Sequence, residues 1–228
     1  MTDLHTHILP GMDDGAGDVR QSLVMLTQQA EQGVKTVALT PHYYPHKESP
    51  TSFLERREAA WQQLNARITD SALPKLRLGA EVAYVPGMWE WEELPRLCYD
   101  GTKVLLIELP LSAWNDDMFQ ELYRILSRRG ITPMVAHLDR YLQIQEKKLL
   151  YRLLDMDIPF QVSVSSLLKP FSHRARQLWF QGGVPVSDCH DPFRRAPNLG
   201  QLRELICRKY GAEAERTFVA QTDIWEEM

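Results

Sequence analysis

Short apolar runs, each followed by polar residues, recur along the chain. Residues 104–107, Val-Leu-Leu-Ile, form one such run without interruption, which is typical of a strand that is buried on both faces. On this pattern we predict strands at residues 2–5, 35–40, 76–82, 103–109, 132–137, 160–165 and 184–187.

Segments with the helical spacing of apolar residues lie between several of these strands. Asp18 is a candidate N-cap, Gly33 follows the end of the same segment, and Gly130 follows another as a C-cap would. We predict helices at residues 18–32, 52–68, 116–129 and 141–156. Strands that alternate with such helices pair in parallel through crossovers, so the predicted class is α/β. Seven strands favour a closed or nearly closed barrel over an open sheet.

Composition narrows the function classes. With 228 residues, of which 44% are hydrophobic, the chain can bury a substantial core, and no linker divides it, so we expect one domain over residues 1–228. A net charge of −4 gives no electrostatic case for nucleic acid or for an anionic membrane surface, and no apolar run is long enough for membrane insertion. Three widely spaced cysteines fit a reducing compartment, so the expected localisation is cytoplasmic. The oligomeric state is left open.

The first predicted strand ends in the sequence Asp3-Leu4-His5-Thr6-His7. Alternation along an extended chain places His5 and His7 on the same side, about 6 to 7 Å apart, where both imidazoles can bind one metal ion. Two surface histidines would show the same pattern, so this motif alone does not decide the question.

Other predicted strands also end at imidazoles or carboxylates, the side chains that bind divalent cations. Each of these residues taken singly could be a structural buried group. Their repeated occurrence at the same end of successive strands favours a metal site, because barrel enzymes build active sites there. The candidates at these later strand ends are His42, Glu81, Glu108, His137, Asp188 and His190.

This inventory exceeds the needs of one ion, and Asp13 or Asp14 adds a further carboxylate. Two or three clustered ions suit phosphoester hydrolysis, because they activate a water molecule and neutralise phosphate charge. Arginines near the metals would assist by binding phosphate. Arg140, and either Arg194 or Arg195, follow candidate ligands closely enough for that role.

The string His5-Thr6-His7-Ile8-Leu9-Pro10-Gly11-Met12-Asp13-Asp14-Gly15-Ala16 resembles the opening of the PHP (polymerase and histidinol phosphatase) superfamily. It is most similar to the branch of bacterial manganese-dependent protein-tyrosine phosphatases that act in capsular and exopolysaccharide synthesis. Further matching motifs follow in the order of that family: Thr-Pro-His at 40–42, Gly-Ala-Glu at 79–81, Glu108, His-x-x-Arg-Tyr at 137–141 and Ser-Asp-x-His at 187–190.

The resemblance implies a distorted seven-stranded (β/α) barrel of PHP type with up to three ions. Manganese is the implied metal, with iron, zinc or magnesium as alternatives. The implied substrate is the phosphotyrosyl tail of a tyrosine autokinase. By the same analogy, Arg140 and Arg195 would bind phosphate. The ligand sets it implies are His5, His7 and Asp188 for one ion, Glu81 as a bridge to a second with Glu108 and His137, and Asp14, His42 and His190 for a third.

Two departures from the family pattern concern loops rather than ligands. Leu138-Asp139 stands where the family commonly has Pro-Glu, and Cys189 stands where a small residue is usual. Two other functions are weighed against the tyrosine phosphatase: a small-molecule phosphatase of histidinol-phosphate type, and a non-enzymatic metal-dependent scaffold for polysaccharide assembly.

Cys189 also begins a C-x5-R pattern that ends at Arg195, the spacing of the cysteine-dependent tyrosine phosphatases. The five intervening residues lack glycine and include Pro192, which has no N–H to offer to a phosphate. Asp188 and Asp191 flank the sulfur and would raise the pKa of its thiol. We therefore predict that Cys189 is not a nucleophile.

Overall fold

The computed structural model describes residues 1–223 and contains nine short strands, all of which pair in parallel. They are β1 (Thr2–Thr6), β2 (Thr36–Leu39), β3 (His42–Tyr43), β4 (Lys75–Leu78), β5 (Glu81–Ala83), β6 (Val104–Glu108), β7 (Thr132–Val135), β8 (Gln161–Ser163) and β9 (Val184–Val186).

The strands form three sheets, ordered β1-β2-β4, β3-β5-β6-β7 and β8-β9. The strands pair residue by residue without a bulge between β2 and β4, where Val37 pairs with Leu76, and between β6 and β7, where Leu106 pairs with Met134. Two isolated parallel bridges join neighbouring sheets, Val135 to Phe160 and Thr6 to Cys189. The fold is therefore a mixed α/β fold built on parallel sheets, as the alternation of elements predicts.

One predicted strand region is interrupted, and another is followed by a short strand, β3, that the pattern does not predict. The chain leaves β2 at Thr40-Pro41 before β3 begins, and the predicted strand 76–82 is divided into β4 and β5 at Gly79-Ala80. A Cβ on Gly79 would lie 2.9 Å from the ring of Tyr99, so a larger residue would not fit there without a shift. In both places the residues before the break belong to the first sheet, and the residues after it, β3 and β5, belong to the second.

The helices surround the sheets. They are α1 (Val19–Glu31), α2 (Pro50–Asn65), α3 (Leu94–Leu97), α4 (Asp116–Arg129), α5 (Lys147–Leu154), α6 (Val164–Leu167), α7 (His173–Phe180) and α8 (Leu199–Thr222), with 3-10 helices at Met88–Glu90 and Leu138–Gln143. None of the helices within residues 1–223 is both long enough and apolar enough to cross a bilayer.

Local end signals explain the helices that the sequence predicts best. Asp18 caps α1 by accepting a hydrogen bond from the Gln21 N–H at 2.9 Å, and Gly130 ends α4 in the left-handed region with φ 61°. The predicted helix 141–156 is wrong at its start, because residues 141–143 belong to the 3-10 helix and α5 begins only at Lys147. The hydrophobic pattern also does not distinguish β8 from α6, which begins at the next residue, so the predicted strand 160–165 includes residues of both.

The buried apolar residues form two clusters. The larger packs the sheets against the helices, and the smaller one lies on the other side of the strands. Leu106 belongs to the smaller cluster, and Glu108, two residues on, shares its face of β6. The members of the smaller cluster are Leu4, Ala38, Tyr99, Val104, Leu106, Met134, Ala136, Val184 and Val186.

Tyr99 links several strands within this smaller cluster. Its buried hydroxyl donates to the Leu4 carbonyl oxygen at 2.8 Å and accepts from the Gln161 side-chain amide at 3.1 Å. We expect Tyr99→Phe to lower the free energy of unfolding by about 1–3 kcal/mol, because the buried partners lose their hydrogen bonds. Urea denaturation measures the change.

The control is Tyr123→Phe, since the side chain of Tyr123 is exposed on α4. It should change the free energy of unfolding by less than about 0.5 kcal/mol. Equal stability of Tyr99→Phe and the control would show that the buried hydroxyl does not contribute.

Candidate metal centre

The side chains predicted as metal ligands lie close together at the C-terminal ends of the strands. They lie at or just after the ends of β1, β6, β7 and β9, and at the first residues of β3 and β5, which come shortly after β2 and β4. Asp14 joins them from the loop before α1. The structure brings together all nine: His5, His7, Asp14, His42, Glu81, Glu108, His137, Asp188 and His190.

The Glu81 carboxylate is at the centre of the cluster and is completely buried. Its oxygens lie 2.8 Å from His42 Nδ1 and 2.8 Å from His137 Nε2. They also lie 3.2 Å from His5 Nε2 and 3.4 Å from His7 Nε2. One carboxylate with imidazoles on both oxygens is placed as a bridge between two ions would be.

Asp188 supplies a second carboxylate on another side of the same imidazoles. Its Oδ1 is 3.6 Å from His5 Nε2, 3.5 Å from His7 Nε2 and 3.6 Å from His190 Nδ1. Asp14 Oδ1 lies 3.5 Å from His190 Nε2. Carboxylate oxygens and imidazole nitrogens are therefore mixed through the cluster, the donor set that suits borderline divalent cations.

Glu81 Oε2 and His42 Nδ1, two atoms at the centre of the cluster, are buried without a hydrogen-bond partner among the described residues. They are 2.8 Å apart, but their geometry does not form a hydrogen bond. Leaving such atoms unpaired is costly unless a ligand satisfies them, so the residues fit a metal centre.

The donor atoms form three sets, and the atoms of each set lie within 4.8 Å of one another. They share His7, His42 and Glu81 between them, so neighbouring ions would share ligands. The sets are His7, Asp14, His42 and His190; His5, His7 and Glu81; and His42, Glu81 and Glu108.

Buried polar residues orient the imidazoles. Gln161 Oε1 lies 2.7 Å from His5 Nδ1, and Asp13 Oδ2 lies 2.7 Å from His7 Nδ1. The Asp188 carbonyl oxygen lies 3.0 Å from His190 Nδ1. These contacts place a proton on Nδ1 of all three rings and leave Nε2 free to bind a cation.

Gln161 and Asp13 are positioning residues that the sequence reasoning did not single out for this role. Gln161 is a polar residue between Phe160 and Val162 in a predicted strand, which is a signal that could have identified it. The sequence offers Asp13 as an alternative ligand to Asp14. In the structure it accepts from the N–H groups of Gly15 and His42 as well as facing His7, while Asp14 reaches the imidazoles.

The loop that carries Asp13 and Asp14 folds back tightly on β1. The Ala16 N–H donates to the His7 carbonyl oxygen at 2.9 Å, and a Cβ on Gly15 would lie 2.1 Å from that same oxygen. Only glycine permits this approach. Gly15 is therefore needed for the turn that brings the carboxylates of Asp13 and Asp14 close to the histidines.

Two of the proposed ligands have strained backbones. Among residues 1–223, positive φ outside glycine occurs at His137 (31°), Asp157 (54°), Phe171 (61°) and Asp188 (51°). His137 lies two residues after the end of β7, and Asp188 lies two residues after the end of β9. Such conformations cost about 1–3 kcal/mol each and persist where the surroundings impose them, commonly at functional sites.

The ionisation of the cluster follows from its charges. Burial alone would lower the pKa of His5 and of His7, but the nearby carboxylates outweigh it and raise both. Burial would raise the pKa of Glu81, yet the imidazoles of His5, His137 and His42 hold it well below its usual range. Burial, aided by His7, lowers the pKa of His190 to about 4. Protonation of His5 and His7 would offset the charge of the buried carboxylates when no cation is bound.

Arg140 and Arg195 approach the cluster from one side. Arg140 Nη1 lies 2.7 Å from Glu108 Oε1, and Arg195 Nη2 lies 2.8 Å from Asp188 Oδ2. Both line a cavity of about 780 Å³ that Asp188 also borders. Arg194 lines this cavity too, but its guanidinium forms no ion pair with a residue in the described part of the chain.

Cys189 is unsuited to nucleophilic attack. Its side chain is completely buried, and burial together with the nearby Asp3 raises the pKa of its thiol well above the usual value. The loop after it is also closed on itself, because the Asp191 carboxylate accepts the N–H groups of Phe193, Arg194 and Arg195. No nest of free N–H groups is left there to bind a phosphate.

The whole described chain resembles a set of bacterial phosphatases. A family model for capsular polysaccharide synthesis, CpsB/CapC, matches residues 1–223. Tyrosine-protein phosphatase YwqE of Bacillus subtilis is 32% identical over 93% of this chain and 86% of its own length. Tyrosine-protein phosphatase CpsB of Streptococcus pneumoniae is 30% identical over 96% of this chain and 95% of its own. A crystal structure from work on these two proteins, described as unique metal-dependent tyrosine phosphatases, superposes with a TM-score of 0.79 at 25% identity, covering 98% of this chain and 93% of that chain.

We expect metal affinity to rise with pH, because His5 and His7 must lose protons to bind a cation and their pKa values are raised. The loss of affinity on acidification should therefore begin above about pH 6.5, the ordinary histidine value. Calorimetric titration of Mn²⁺ into chelator-treated protein, in two buffers of different ionisation enthalpy, measures the protons released. Glu81→Gln should weaken binding at every pH, and pH-independent binding without proton release would contradict the assignment.

Proposed function

Because the chain belongs to the CpsB/CapC family of capsular polysaccharide synthesis, we propose that it is a manganese-dependent protein-tyrosine phosphatase acting on the phosphotyrosyl tail of a tyrosine autokinase. The observation that carries the proposal is the buried cluster of imidazoles and carboxylates that borders an arginine-lined cavity. Both named relatives are tyrosine-protein phosphatases, which supports the same class of substrate.

The proposed ligands are the nine strand-end residues. His5, His7 and Asp188 would hold one ion, Glu81 would bridge to a second held also by Glu108 and His137, and Asp14, His42 and His190 would hold a third. Bound divalent ions would lower the pKa of a water molecule and neutralise charge on the phosphoryl group.

The chain's own residues supply the rest of the mechanism. Gln161 and Asp13 fix the rings of His5 and His7. Arg140 and Arg195 now neutralise Glu108 and Asp188, and in the complex their guanidinium groups would turn to the phosphoryl oxygens. Those contacts would strengthen as negative charge is redistributed in the transition state, so they favour turnover as well as binding.

An open cleft favours a protein substrate over a small metabolite. Lys169, Phe171 and Arg174, on the wall of the same cavity, are exposed at the surface. A tyrosine on a flexible tail can enter from this side. The proposal includes a single domain over residues 1–228, supported by the family match to residues 1–223, and a cytoplasmic location. It also includes a distorted seven-stranded (β/α) barrel of PHP type, in which β2 with β3 and β4 with β5 each count as one broken strand; the two inter-sheet bridges support it.

The test of this function is hydrolysis of a phosphotyrosyl peptide against histidinol phosphate, with Mn²⁺ present. We expect turnover of the peptide, its loss on chelation, and a fall of about 10²- to 10³-fold in His5→Ala and Glu81→Ala, since the groups that hold the metals are removed. Cys189→Ser is the matched control and should keep most of the activity. An inactive Cys189→Ser with its metals bound, together with a wild type that survives chelation, would instead indicate a thiolate mechanism.

A separate prediction concerns the two arginines. Arg140→Ala and Arg195→Ala should lower kcat/KM for the phosphopeptide by about 10²-fold, because each removes a charge-assisted contact to phosphate. Elemental analysis should find the same metal content as in the wild type. Loss of metal in either variant would show that the arginine holds its carboxylate partner in place rather than the substrate.

A further inference from the structure

The cavity beside the metal centre extends well beyond the residues that would contact a phosphoryl group. Its volume of about 780 Å³ lies within the range of complete ligand sites, about 300–1,000 Å³. Asp188, Arg140 and Arg195 border it on the side of the metal centre. The remaining wall is formed mainly by α6, α7 and the segment between them, and by residues around Arg194.

This outer wall is cationic. Lys169, Arg174 and Arg194 line it, all three are exposed, and none of them forms an ion pair with a residue in 1–223. The carboxylates among the lining residues are Asp139 and Asp188. Asp139 accepts the Ser163 N–H at 2.8 Å, and Asp188 pairs with Arg140 and Arg195, so neither carboxylate forms an ion pair with these three cations.

The positive wall is not a consequence of overall composition. The chain has 30 acidic and 26 basic residues and a net charge of −4, so an average surface of this protein would be slightly negative. A local surplus of positive charge in a cleft attracts and positions an anionic partner.

The segment between α6 and α7 is held in shape. The Arg176 guanidinium donates to the carbonyl oxygens of Leu167 at 3.4 Å and Lys169 at 3.3 Å. Phe171 has φ 61°, a region unfavourable for a bulky residue, and its side chain is 89% exposed at the cavity wall. This strained and braced segment presents an aromatic ring and the Lys169 cation to the cleft, and Arg174 adds a second cation from the first turn of α7, so the wall is suited to contact a ligand.

We propose that this wall binds a second anionic side chain of the peptide that carries the phosphotyrosine, so that acidic sequence around the phosphotyrosine determines specificity. The inference rests on the proposed function and adds a recognition site to it. Its chemistry is shared by a carboxylate and by a further phosphate ester. Arg194 is the sequence neighbour of Arg195, so a cation for the second group adjoins the arginine proposed for the first.

The test uses the 228-residue chain loaded with metal and four synthetic peptides with one central phosphotyrosine. Their flanking residues are neutral, glutamate-rich, lysine-rich, or neutral with one additional phosphotyrosine. We expect kcat/KM for the glutamate and the doubly phosphorylated peptides to exceed that of the lysine peptide by roughly tenfold at low salt, and the preference to shrink as salt screens it. A preference for the second phosphotyrosine alone would identify the phosphate ester as the ligand.

The variants are Lys169→Ala, Arg174→Ala and Arg194→Ala, each normalised to its own rate on p-nitrophenyl phosphate, which has no flanking residues. Each should lower the ratio of glutamate to lysine peptide by roughly 1.5- to 5-fold. Arg128→Ala is the control, because this exposed arginine lies in the last turn of α4, which leads into the opposite ends of the strands. Its ratio should equal that of the wild type.

Two failures are distinguishable. If the phosphopeptides are hydrolysed but at equal rates, the cationic wall does not recognise flanking sequence and this inference is overturned while the proposed function stands. If none of the phosphopeptides is hydrolysed while p-nitrophenyl phosphate is, the proposed function fails, and the inference with it.

Discussion

The burial of one carboxylate among four imidazoles is the constraint on which the rest of this structure depends. Glu81 has no access to solvent, and its oxygens lie within 3.4 Å of ring nitrogens of His5, His7, His42 and His137. Such a charge is tolerable only if protons or cations compensate it. The parallel strands, the glycine-dependent loop before α1 and the orienting contacts all keep the compensating groups at that distance.

The sequence predicts which side chains come together better than it predicts the bounds of the elements around them. Continuous apolar runs that end in His or Glu place the ligands at strand ends, and parallel pairing then requires those ends to meet. The positions at which strands break could not be predicted in the same way. Thr40-Pro41 and Gly79-Ala80 are short, and their effect depends on packing against Tyr99 and on pairing with other strands.

Residues that orient the ligands were also beyond the sequence pattern. Gln161 is 156 positions from His5, and no periodicity relates the two. Local pattern does not distinguish Arg194 from Arg195, because adjacent residues of the same type carry the same signal. The family resemblance implies Arg195, and its ion pair with Asp188 supports that choice. Long-range pairing of single side chains is a product of tertiary packing, whereas ligand type and strand position are local properties.

Because the strands are divided into three sheets, metal ions bound at this centre would also stabilise the contacts between the sheets. His5 lies on the first sheet, Glu81 and Glu108 on the second, and Asp188 follows the last strand of the third, while single bridges join the second sheet to the third and the third to the first. Cations bound by these side chains would connect the three sheets to one another next to the single bridges that join them. Removal of the ions would then loosen the junctions between sheets before it unwinds helices, so amide exchange near Thr6, Val135 and Cys189 would report occupancy of the centre from a distance.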